Sequence, residues 1–158
     1  AGIPNDKVAG NGGGLVRIEA SGTVDLQGLI LANGNSAWNT HGAAGAGGGI
    51  FITCNRLLAD TTTVFSAYGG NGNLNGGGGG GGRIALWDGA PRLDLIRRFD
   101  AGESVPYISV SETNLGFRGL LSVTNGSGYT NAPPGGSAPG TLRCFNYRPP
   151  PGTLFNMF

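Results

Sequence analysis

The densest group of ionisable side chains lies in residues 91–117, which hold Arg92, Asp94, Arg97, Arg98, Asp100, Glu103 and Glu112. Asp94 and Asp100 bracket Arg97 and Arg98, and carboxylates set beside basic groups are the ingredients of a polysaccharide hydrolase or lyase. The chain has nine acids in all, too few to line a cleft elsewhere, so the group reads better as a solvated face. His41 is the only histidine and sits in the loop sequence NTHG. Nucleophilic catalysis would need a Ser or Cys beside it and a carboxylate behind it, and no GxSxG elbow is present. No enzyme activity and no catalytic residues are expected.

Metal and phosphate chemistry fare no better. The sequence GGNGNLN at 69–75 departs from the calcium-binding nonapeptide by placing Leu74 where an aspartate is required, and it occurs once. Asp25 and Asp60 add two carboxylates to a cage that needs about six to eight oxygens. The glycine runs never lead into Gly-Lys-Ser/Thr, so no loop cradles a phosphate. Cys54 and Cys144 form neither a CxxC nor a Cys/His cluster, which leaves two buried thiols or one disulfide. No metal, cofactor-binding residue or cofactor is expected. Asn125-Gly126-Ser127 fits a glycosylation acceptor and also a turn, and the turn is preferred. Thr61-Thr62-Thr63 is a single threonine run and builds no ladder. Trp38 and Trp87 could stack on sugar rings, although aromatic side chains more often pack in cores.

Behind these residues stands an unusual frame. The 158 residues include 33 glycines, seven of them consecutive at Gly76 to Gly82, with 39% hydrophobic and 12% charged residues. Glycine loses more conformational freedom on folding than any other residue, so such a chain must recover that cost through backbone hydrogen bonds and close packing. The net charge of +1 offers no basic patch for nucleic acid. No apolar stretch reaches the roughly 18 residues of a membrane span, and no Gly-X-Y period marks collagen. Ala1-Gly2-Ile3-Pro4 has neither the basic nor the apolar part of a signal peptide, so the chain is expected to be a mature protein or a fragment, not a cytosolic one.

The glycine runs punctuate a repeat. Gly14 leads into Leu15-Val16-Arg17-Ile18 and Gly49 into Ile50-Phe51-Ile52-Thr53; Gly34 and Gly69 close the two units at the same offset of 35 residues. Leu29, Ile30 and Ala32 fall on Val64, Phe65 and Ala67. A third unit begins with Arg83 to Trp87, including Ile84 and Leu86, and resumes at Gly119; a fourth begins at Gly140. A fixed period of about 20–50 residues marks stacked arrays. These eight positions (29, 30, 32, 64, 65, 67, 84 and 86) are the expected core stack, with Ile30 directly over Phe65. Leu93, Ile96 and Phe99, spaced by three after Pro91, predict a short helix within a charged excursion over 91–117.

The pieces SGTV at 21–24, LANGN at 31–35, AYGGNG at 67–72 and the run from Gly78 to Trp87 resemble the glycine-rich repeat domains of large secreted bacterial surface proteins, in which "SGTISANGGNG" leads through a loop to "GGGGGGRIAIYY". The resemblance covers nearly all of residues 12–90 and loosely 118–146. It implies an extracellular, non-enzymatic, solenoid-like module used in adhesion, surface layers or fibres. The chain also resembles, less closely, extracellular regions in which poly-glycine strands pack as left-handed extended helices. That likeness implies that residues 76–82 form a rod in a bundle and not a wall.

The expected fold is therefore an all-β, glycine-rich parallel β-solenoid (β-helix) of about three to four coils with poly-glycine walls. It would occupy residues 1–148, followed at 149–158 by a Pro-rich spacer and an apolar tail. Open ends of such a stack offer unpaired backbone and apolar cross-section, which proteins ordinarily blunt with charge, proline or caps. Ile3 and Leu15 near one end, Leu142 near the other, and the tail residues Leu154, Phe155, Met157 and Phe158 are the expected assembly contacts. The expected function is a self-assembling subunit or repeat module of an extracellular filament or surface layer, with copies of itself as partner. The alternative is a cell-surface adhesin module that holds polysaccharide through Trp38 or Trp87; a β-helix carbohydrate-active enzyme ranks third.

Overall fold

A computed structural model of the protein describes residues 8–38, 41–89, 91, 93–110, 117–128 and 137–151. The first repeat supplies β1 (Leu15–Glu19), β2 (Thr23–Leu26) and β3 (Leu29–Leu31); the second supplies β4 (Gly49–Cys54), β5 (Arg56–Ala59) and β6 (Val64–Ser66). Then come β7 (Arg83–Asp88), α1 (Leu93–Asp100), β8 (Ile108–Val110), β9 (Leu120–Ser122) and β10 (Thr141–Tyr147). They form three sheets, ordered β1-β4-β7-β10-β8, β2-β5 and β3-β6-β9.

Register follows the 35-residue offset. Val16, Ile50, Ile84 and Leu142 are successive partners across the first sheet, and Ile18, Ile52, Leu86 and Cys144 lie two residues on. In the third sheet Ile30 pairs with Phe65 and Phe65 with Leu121. The inward side chains of all three sheets meet in one core containing Ile50, Ile52, Leu57, Phe65, Ile84 and Leu86.

The all-β parallel solenoid is not what forms. The sheets are separate, β8 runs antiparallel to β10, a helix packs on the largest sheet, and no closed coil is found among the described residues. The cause lies in the excursion. After β7 the chain leaves the stack, so the second sheet stops at two strands. The excursion's apolar side covers the outer face of the first sheet, where Ile96 is buried and Phe99 meets the stacked rings of Trp87 and Phe145 edge-on. Asp94 in the first turn and Arg97 and Arg98 in the last complement the helix dipole. Gly102, at φ 83°, ends the helix: its N–H donates to the Phe99 carbonyl (2.9 Å) and that of Glu103 to the Arg98 carbonyl (3.0 Å), the paired bonds of a Schellman motif.

The core stack also needs correcting at two positions. Leu29 is 66% exposed and Val64 is only half-buried, because both face outward from the third sheet. Consecutive apolar residues read as a strand buried on both sides, but this sheet is covered on one. Ala32, Phe65, Ala67, Ile84 and Leu86 are buried.

The glycine segments are rods and not strand walls. In residues 42–48, Ala44 and Gly47 donate to the carbonyls of Gly77 and Gly80, while Gly45 and Gly48 donate to those of Asn35 and Ala32. Donors to any one neighbour recur every three residues, the repeat of a polyproline II helix, where a strand would show two. Each rod thus bonds several neighbours at once, at separations that exclude a Cβ: one added to Gly79 would lie 1.9 Å from the Gly45 carbonyl oxygen.

Candidate functional site

Two surfaces stand out, the open edge of the first repeat and a groove beside Trp38. On β1, Gly14 accepts from the Gly49 N–H and the Ala20 N–H donates to Thr53, both at 2.9 Å. Successive strand residues turn their amides to opposite edges. Residues 14, 16, 18 and 20 are therefore committed to β4, while 15, 17 and 19 turn theirs to an edge on which no described strand pairs. The edges of β2 and β3 are open in the same way. Without a layer over them, Val16, Ile18, Val24, Leu26 and Ile30 are only partly buried against the core.

β10 ends the other side of the first sheet. The Thr141 N–H donates to Gly82 (2.9 Å) and the Arg148 N–H to Tyr107 (3.1 Å), so odd residues face β7 and even residues face away. β8 covers only Phe145 to Tyr147, and the stretch before it, with the Leu142 amide, lies beyond its reach. Even residues on one strand facing odd residues on the next is also how β4 meets β7, where the Arg83 N–H donates to Gly48. On the outer face of β1, Arg17 pairs with Glu19 and its guanidinium lies over the Phe51 ring at 5.4 Å.

No family model, curated protein or solved structure matches the chain. Its function has to be read from its own surfaces.

The groove has a volume of about 660 Å³ and is lined by residues 31 and 33–38 together with Tyr68. Trp38 is 81% exposed there, and Leu31 and Tyr68 are exposed beside it. Trp87, the other candidate for sugar stacking, is buried at 1% exposure beneath Phe99 and against Phe145, so it faces no ligand; an aromatic residue in a strand was core, because the excursion closed over it. Tyr68, Asn33, Asn35 and Ser36 were not singled out from the sequence. The signal was the same 35-residue offset, which sets Asn33 beside Tyr68 and Ser36 beside Asn71.

The remaining candidates have structural roles. Asp60 caps its own turn, accepting from the Thr62 N–H (2.8 Å) and hydroxyl (2.6 Å); the hydroxyl bond above all holds its carboxyl below the usual range. Thr63 is buried and donates to the Leu26 carbonyl (2.7 Å). The Arg98 guanidinium donates to Glu103 at 2.7 Å. His41 and Leu74 occupy turns at φ 67° and 43°. Among the described residues no three His, Cys, Asp or Glu side chains converge on a metal position. Cys54 and Cys144 are both buried and unlinked, and burial, reinforced by Asp88, pushes the Cys54 thiol up to about 11. Asp88 escaped sequence reading altogether: it is buried, accepts from the Leu57 N–H (3.1 Å) and is closed over by Arg148 (2.5 Å). Ile3 and the tail residues Leu154, Phe155, Met157 and Phe158 lie outside the described residues. Among the described residues no helix is long and apolar enough to cross a membrane.

Proposed function

We propose that the protein is a structural subunit that assembles with copies of itself, head to tail, into an extracellular filament or surface layer. The observation that carries this reading is the match of phase between the outer edge of β1 and the start of β10, neither of which is paired by a further described strand on that side. β10 turns even residues outward and β1 turns odd residues outward, the combination by which β4 already meets β7. A second copy continuing the ladder would set its Leu15 beside Thr141 and its Val16 beside Leu142. That joint would cover the half-buried Val16 and Ile18, and pairing at exposed edges is a known mode of association. It joins different surfaces of the two copies, and a contact of that kind propagates wherever the rotation between copies does not close a ring. The extracellular setting rests on the low charge, the glycine content and the resemblance to secreted surface repeats.

Negative-stain microscopy and sedimentation of the purified chain test the reading. Arg17→Pro is the sharpest variant, because the lost N–H faces the open edge and serves no bond to β4. It should fold, by circular dichroism and unfolding midpoint, and yet fail to assemble. Deletion of residues 149–158, whose apolar end suits strand addition, should weaken assembly as well. A wild-type chain that stays a monomer at every concentration, or an Arg17→Pro chain that assembles normally, refutes the proposal.

A further inference from the structure

We infer that the groove beside Trp38 binds a neutral polysaccharide chain. The first argument is exposure. Trp38 presents most of its indole to solvent, with Tyr68 and Leu31 also exposed along the same groove. Aromatic faces flanked by polar groups suit sugar rings, which offer apolar C–H faces and polar rims.

The second argument is the state of the polar groups. Asn33 Oδ1 already accepts twice, from the Ser66 hydroxyl (2.8 Å) and the Tyr68 N–H (3.0 Å), so the carboxamide is oriented and its nitrogen is what remains to offer. Ser36 Oγ already accepts from the Asn71 N–H (3.0 Å), which leaves its proton to donate. Both groups are thus held as donors, and sugar hydroxyl oxygens are acceptors. None of the lining residues carries a charge, so the groove selects neither a polyanion nor a polycation.

The third argument is rigidity. The two lining segments are bonded to each other, with the Gly34 N–H donating to Tyr68 (2.8 Å) and the Ala37 N–H to Asn71 (2.9 Å). A site held at fixed spacing spares the ligand the cost of ordering it. The groove involves the second repeat as well as the first, through Tyr68, and none of its lining residues belongs to β1 or β10. It is therefore lined by no residue of the two strands that would form the head-to-tail joint.

The test is affinity electrophoresis of the full chain through gels holding hydroxyethylcellulose, a galactomannan or the polyanion alginate, with titration of tryptophan fluorescence in parallel. At least one neutral polymer should retard the protein, equally at about 50 mM and about 500 mM salt, since no ion pair is involved. Trp38→Ala should weaken that binding by about tenfold or more, and Trp38→Phe should retain most of it. Neither substitution should shift the unfolding midpoint. Retardation by alginate alone, no retardation by either neutral polymer, or unchanged binding by Trp38→Ala would overturn the inference. Loss of self-assembly in Trp38→Ala without loss of polymer binding would overturn it too, by making the groove a contact between copies.

Discussion

Alanine at Gly79 should be far more damaging than alanine at Gly77, although the two lie in the same run of seven glycines. At Gly77 an added Cβ meets nothing within 4 Å. At Gly79 it would lie 1.9 Å from the Gly45 carbonyl oxygen and 2.6 Å from its carbonyl carbon. An ordinary contact would require the rods to part by about 1.5 Å. The rods that carry Gly79 and Gly45 are joined directly by the Ala44 N–H to the Gly77 carbonyl (2.9 Å) and the Gly47 N–H to the Gly80 carbonyl (2.8 Å). Such a separation takes both beyond bonding range. Each is worth about 1 kcal/mol net, and overpacking adds about 1–3 kcal/mol. The stiffer unfolded chain returns only about 0.4–1 kcal/mol. The net loss is about 2–4 kcal/mol, a large part of the roughly 5–15 kcal/mol that holds a typical domain. With a urea slope of about 2 kcal/mol/M, the midpoint of Gly79→Ala should fall by about 1–2 M, while that of Gly77→Ala holds or rises slightly. Equal midpoints for the two variants would refute the account of the rods.

Two further perturbations test the interior. Below about pH 9 the Cys54 thiol is neutral whether folded or unfolded; between there and about 11 the unfolded chain ionises while burial keeps the folded thiol protonated, so stability falls as pH rises. The loss should reach roughly 3 kcal/mol and be absent from the profile of Cys54→Ala, and both thiols should resist an aromatic disulfide reagent until the protein unfolds. Arg148→Ala strips the counter-ion from buried Asp88 and should cost about 1–3 kcal/mol by chemical denaturation, discounted because the arginine is half exposed; Asp88→Asn in the same background should recover part of it.

What could be read in advance depended on how each feature is encoded. Strand register was legible because identical spacing from Gly14 and Gly49 obliges Ile30 to meet Phe65 when the repeats stack. Facing was not: Leu29 and Ile30 are equally apolar, and only the presence of a layer on one side of the third sheet separates them. The helix after Pro91 was legible in the spacing of Leu93, Ile96 and Phe99, but not its docking on Trp87, which turned a candidate sugar platform into core. A run of glycines announces close approach without direction, since no side chain distinguishes one position from the next. Hence walls and rods could not be told apart until the three-residue spacing of donors was seen. At the groove, Trp38 was conspicuous in sequence, whereas Asn33 and Ser36 became interesting only once their oxygens were found already occupied.

The rods have a calorimetric consequence. They press peptide group against peptide group, with almost no methylene between. Heat capacity rises on unfolding when greasy surface is wetted and falls when amides are wetted. A protein whose interior is in good part amide should therefore unfold with an increment below the usual value of about 12–15 cal/mol/K per residue. Its free energy would then vary gently with temperature, and an assembly built from it would keep its strength from near freezing to well above the range in which oil-cored domains loosen.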